Sequence, residues 1–81
     1  AGLSTDRIKQ DLNETIQGAI MIDHIHAWAL NESKYLVTVD VEAAPGACPE
    51  TLRKAVKARL REAFSVDHAT VEITSKPIEP A

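Results

Sequence analysis

The hydrophobic period of this chain changes repeatedly along its length, and the order of those changes restricts the fold more than any other feature. Ile8, Leu12 and Ile16 recur every four residues, with Arg7, Lys9, Asp11, Asn13 and Glu14 on the other sides. That is the pattern of an amphipathic helix. Ser4 is suited to its N-cap, Asp6 to its first turn and Gly18 to its C-terminal stop. Leu3 and Ile8 take the two positions of a hydrophobic staple. From Ile20 to Leu30 and from Tyr35 to Ala43 the chain turns to Ile, Val, Tyr, Trp and Thr, and Val37, Val39 and Val41 alternate onto one face. Asn31-Glu32-Ser33-Lys34 between them is short enough for an antiparallel hairpin. Ala44-Pro45-Gly46-Ala47 reads as a loop. A second helix opens at Cys48-Pro49, with Pro49 at the first helical position and Leu52, Val56, Leu60, Ala63 and Phe64 as its apolar stripe. Ser65 to His68 turns the chain, Ala69 to Thr74 forms a third strand, and the proline-rich tail from Lys76 cannot extend it.

The predicted order is therefore α-β-β-α-β, with helices near 5–17 and 49–63 and strands near 20–30, 35–43 and 69–74. This is an α+β, two-layer ferredoxin-like (metallochaperone-like) sandwich: a three-stranded sheet with two helices on one face. The second strand, second helix and third strand read as a split crossover, which leaves the first strand between the other two and antiparallel to both. At 81 residues the chain is one domain, 1–81, with 1–3 and 75–81 expected to be poorly ordered. So small a domain, with a sheet face and strand edges left open, is expected to form a homodimer. Trp28 and the third strand are the expected contacts.

Composition excludes several classes. A hydrophobic share of 44% and a charged share of 26% are those of a globular chain. One cysteine forms no internal disulfide, so a stapled secreted mini-domain is not expected. No apolar run approaches the ~20 residues of a membrane span and no signal peptide is visible, so the chain as given is expected to be soluble. A net charge of −3 argues against nucleic-acid binding, which draws on cationic contacts to phosphate. RNA readout on a sheet also wants several stacking aromatics, and this chain has one Trp, one Tyr and one Phe. No nucleophile elbow, phosphate-cradling glycine loop or Cys-x-x-Cys pair occurs, and an enzyme is not expected.

The candidate chemistry lies in the histidines. His24, His26 and Trp28 share one strand-like run with Asp23, and His68 shares another with Glu72. Residues two apart on a strand share a face, so His24 and His26 project side by side. Asp40 interrupts the valines of the second strand. Which residue it meets depends on hairpin register, since a one-residue slip exchanges the faces. Either Asp23 and Asp40 share an ion, or His24 and His26 lie on Asp40's face. Asp23, His24, His26, Asp40, His68 and Glu72 are the candidate metal ligands. Imidazole and carboxylate without thiolate suit zinc, nickel, manganese or iron better than copper(I). Zinc takes about four ligands, so six residues imply a second ion or ligands shared across a dimer. A solvated acid and surface histidines are the plain alternative for each residue. Arg53, Lys54, Lys57, Arg59 and Arg61 read as the solvated face of the second helix.

At these residues the chain resembles the cytoplasmic C-terminal domain of the cation diffusion facilitator family, proton-coupled exporters of zinc and other divalent metals. Members carry a His-Asp-Leu-His-Ile-Trp-x-Leu segment after the first helix, and Asp23-His24-Ile25-His26-Ala27-Trp28-Ala29-Leu30 matches it at His26, Trp28 and Leu30. A later Phe-Gly-Ile-x-His-x-Thr-Ile-Gln-x-Glu segment corresponds to Phe64 through Thr74. The chain departs from the family at Asp23 and Asp40, where many members have histidine, and at Thr74, where an acid is common, with Glu72 two residues earlier. Asp for His keeps a ligand but hardens it. The resemblance implies a dimerising α-β-β-α-β domain that regulates a zinc-type efflux transporter. Zinc, or another divalent ion such as nickel, manganese, iron or cadmium, would bind near the dimer interface and favour a closed dimer. It also implies the cytoplasmic side of an integral inner or plasma membrane protein, embedded through an N-terminal transmembrane region. The class-distinct alternative is a metal-independent ferredoxin-like dimerisation or small-molecule regulatory module.

Overall fold

The computed structural model describes residues 4–75. The elements run α1 (Thr5–Thr15), β1 (Ala19–Ala29), β2 (Tyr35–Ala43), α2 (Pro49–Phe64) and β3 (His68–Ser75). Each lies within two residues of its predicted bounds. The staple at Leu3, the ends 1–3 and the tail from 76 lie outside the described residues, while Ser75 closes β3.

Local chemistry sets the boundaries. Ser4 caps α1 by accepting the Arg7 N–H at its side-chain oxygen. The helix ends at Thr15, short of Gly18, whose φ of +88° then turns the chain into β1. A Cβ at Gly18 would meet a Leu52 methyl at 3.4 Å, an ordinary contact, so the positive φ and not crowding asks for glycine. The hairpin closes with Leu30 N–H donating to the Lys34 carbonyl at 2.8 Å, and Asn31 Oδ1 accepting the Ser33 N–H inside the turn. Ala44-Pro45-Gly46-Ala47 is a tight turn, with Ala47 N–H donating to the Ala44 carbonyl. Pro49 opens α2 behind the N-cap Cys48. Ser65 closes that helix in the left-handed conformation, and Val66 N–H reaches back to the Leu60 carbonyl.

Both helices lie on one face of the sheet. Ile8 and Leu12 from α1 and Leu52, Val56 and Leu60 from α2 pack with Ile22, Val37, Val39, Val41, Val66 and Val71 into one core. Val37, Val39 and Val41 are each at most 1% exposed, so the alternating stripe of β2 lies under the helices. Phe64 is half-buried against this core, but the expected stripe residue Ala63 is exposed. It falls in the last turn of α2, past the buried Leu60.

The sheet order is β1-β2-β3, which corrects the expectation that the first strand is central. β2 pairs antiparallel with β1 and parallel with β3. Two physical reasons favour this order. The outer backbone edge of β1 at Ile22 is taken by the α1 side chain Asn13, which accepts the Ile22 N–H at 3.2 Å and donates to the Ile22 carbonyl at 3.1 Å. A third strand cannot pair there. β1 also carries two register irregularities, between Ala19 and Met21 and between Asp23 and His26, a feature concentrated at sheet edges. The β2–α2–β3 unit is then a direct connection between neighbouring parallel strands.

Candidate metal centre

The irregularity between Asp23 and His26 creates the candidate site. Before it Ile22 faces the core at 0% exposure; after it Ile25 and Ala27 do. That change of parity needs one extra residue, and His24 and Ile25 together stand opposite Val39. His24 makes the bulge possible with φ +50°, a conformation uncommon outside glycine. Without it, a strand with Ile22 inward would turn His24, His26 and Trp28 into the core. With it, His24 and His26 stand exposed on the face the helices leave open.

The register pairs Asp23 with Asp40, and the bulge puts His24 and His26 on the face of Asp40 as well. Asp23 is the direct cross-strand partner of Asp40, while His24 Nδ1 lies 3.3 Å from an Asp40 carboxylate oxygen. On the other side of β2, Glu72 is the direct partner of Asp40, and Thr70 of Thr38. His24, His26, Asp40 and Glu72 thus line one shallow depression of about 420 Å³, together with Thr38, Val39 and Thr70. His26 stacks on Trp28 with ring centroids 5.8 Å apart. A larger groove of about 550 Å³ runs between the helices past Arg7, Asp11, Glu14 and Phe64, but it contains no histidine. Its Asp11 is already engaged twice by Arg59, at 2.7 and 2.8 Å.

Two candidates stand apart. His68 begins β3 opposite Leu36, four residues before Glu72. Asp23 sits at the rim, where Lys9 of α1 approaches its carboxylate to 3.1 Å. The backbone N–H of His24 and then the Lys9 ammonium hold the Asp23 carboxyl below the usual carboxylate range. Among the described residues, no three His, Cys, Asp or Glu side chains of one chain are grouped to hold an ion. The residues sequence reasoning passed over are Lys9, read only as a polar-side residue, and Asn13. Neither has a local signal, because each acts across the gap between α1 and the edge of β1.

Comparison with known proteins matches residues 2–76 to the family described as cation efflux protein, cytoplasmic domain. Metal tolerance protein B of Arabidopsis thaliana is 22% identical over 83 residues, covering 93% of this chain. The chain spans 22% of the length of that relative. Among solved structures, the metal-bound C-terminal domain of the CzcD transporter from Cuprividus metallidurans superposes with a TM-score of 0.77 at 23% identity. That match covers 89% of this chain and 99% of the other. A nickel form of a variant of the MamM C-terminal domain gives 0.71 at 16% identity, covering 89% and 94%. These likenesses show the shared fold, and the family match covers nearly the whole sequence. The chain belongs to the cytoplasmic domain family of cation efflux proteins, the cation diffusion facilitators.

Proposed function

We propose that this domain is the metal-responsive dimerisation module of a zinc-type efflux transporter, and that it binds divalent cations on its open sheet face. The observation that carries this reading is the convergence of His24, His26, Asp40 and Glu72 on one depression of that face. The donors fit the ion: imidazole and carboxylate suit zinc and its first-row neighbours. The CzcD domain of the same fold is metal-bound, and nickel and copper forms exist for variants of the MamM domain. His24 and Asp40 of one chain supply two ligands, and the same pair from a second copy across a two-fold axis makes about four. Such a site exists only in the closed dimer, so metal shifts the protomers toward it by differential affinity. Export of the ion belongs to the longer protein of which such a domain is part.

A zinc titration followed by calorimetry and sedimentation tests this. The expected result is zinc uptake at neutral pH with a stoichiometry tied to the dimer, abolished by combining His24→Ala with Asp40→Ala. Equal uptake by the double variant removes this ligand set. One observation favours the metal-independent reading: Trp28, near the far end of β1, and Leu30, just beyond it, are 50% and 54% exposed. A metal-stripped protein that stays fully dimeric and takes up no zinc supports that alternative.

A further inference from the structure

Lys9 and Asn13 lie one turn apart on α1, and both reach the outer edge of β1. Asn13 holds the Ile22 backbone at two points, immediately before the bulge. Lys9 Nζ stands 3.1 Å from Asp23 Oδ1. Asp23 is the cross-strand partner of Asp40, and His24 is already within 3.3 Å of Asp40. Asp23 and His24 are thus both neighbours of Asp40 on the β1–β2 ladder, but only His24 is in contact with it, while Asp23 is engaged by a cation from the helix layer. The pair is 50% and 40% exposed, so burial locks neither side chain in place.

Resting on the metal-binding reading above, we propose that Lys9 is an internal competitor for the ion site, holding Asp23 until a divalent cation takes that carboxylate together with His24 and Asp40. Before an ion arrives, the ammonium relieves repulsion between Asp23 and Asp40. Once the ion is bound, the same ammonium opposes it at short range. The divalent ion has the stronger field, and the flexible lysine stem lets the ammonium swing into water. Lys9 thus lowers apparent affinity and ties ion capture to the loss of a contact between α1 and β1. Asn13 remains as the fixed hinge point, because its partners are backbone groups that do not ligate.

The test is zinc titration of the wild-type chain, Lys9→Gln, Asp23→Asn and the double variant at low salt, with circular dichroism confirming the fold of each. Lys9→Gln is expected to tighten zinc binding by about three- to tenfold, an advantage that shrinks as salt is added. The advantage should vanish in the Asp23→Asn background, which is the signature of a pairwise coupling. Lys9→Arg, which keeps the charge, should behave like wild type. If Lys9→Gln leaves zinc affinity unchanged, or tightens it equally with Asp23→Asn present, the competitor role is overturned, while wild-type zinc binding keeps the metal site standing. Zinc uptake by none of the four removes both.

Discussion

His24 Nδ1 stands 3.3 Å from the Asp40 carboxylate, and it reaches that position through a backbone conformation that few non-glycine residues adopt. The pairing and the strain have one origin. An extra residue at His24 reverses the facing of everything that follows in β1, so that His26 and Trp28 emerge with His24 on the open face. The His24 side chain adds nothing to the buried cluster; its backbone conformation serves its neighbours, turning Ile25 and Ala27 inward and His26 outward.

The strain makes a prediction about stability alone. His24→Gly fits φ +50° without penalty and should be at least as stable as the wild-type chain. His24→Val places a β-branched residue there and should cost about 1 kcal/mol or more. Urea unfolding of the two variants checks this. Equal stabilities would mean that β1 relaxes to a regular ladder when the histidine is absent.

Asn13 holds the edge of β1 by satisfying both the N–H and the carbonyl of Ile22. Asn13→Ala should destabilise the domain by about 1–2 kcal/mol, because it leaves those groups without protein partners beside the core. Hydrogen exchange should quicken first at the Ile22 amide and its neighbours, not in β2. Uniformly faster exchange would show that the clamp supports the whole fold instead of one edge.

Much of the fold was legible because period and punctuation agree. Ser4, Pro49 and the Ala44–Ala47 turn mark boundaries by local chemistry, and Val37, Val39 and Val41 mark the buried face of β2. Strand order was not legible, because it depends on which edge of β1 is already occupied, and a side chain of α1 decides that. The candidate ligands on β1 and β2 were legible as a set but not as a geometry. Alternation assigns faces only while the ladder is regular, and the bulge at His24 breaks it at the point where the site forms. Sequence proximity groups His68 with Glu72, yet the parallel register sets it opposite Leu36 and Glu72 opposite Asp40.

Arg59 engages both carboxylate oxygens of Asp11 and joins the two helices. Its side-chain hydrogen bonds hold the Asp11 carboxyl below its ordinary value of 3.8. A carboxyl depressed in the folded state contributes stability that is present above its unfolded value and is lost as pH falls through its folded one. Asp11→Asn should therefore lower the melting temperature by a few degrees at pH 7. The difference between the two proteins should shrink steadily below about pH 4. Melting curves across pH 2–7 test this, and a constant difference would assign the loss to packing instead of charge.

Zinc should raise the melting temperature, because an ion that binds only the folded, closed form stabilises it by mass action. At free zinc a hundredfold above the dissociation constant the gain is about 2.7 kcal/mol. The ligands should not contribute equally. His26 and Glu72 line the depression with His24 and Asp40, whereas His68 lies four residues along β3, roughly 13 Å from Glu72 at strand spacing. Combining His24→Gly with Asp40→Asn should remove most of the zinc-dependent gain, and His68→Ala should leave it nearly intact. All these side chains are exposed on the open face, so the metal-free variants should melt close to the wild-type chain. Loss of the zinc effect in His68→Ala alone would move the ion toward the Trp28 end of the sheet. A dimer contact would then have to bring His68 of one protomer to the ligands of its partner.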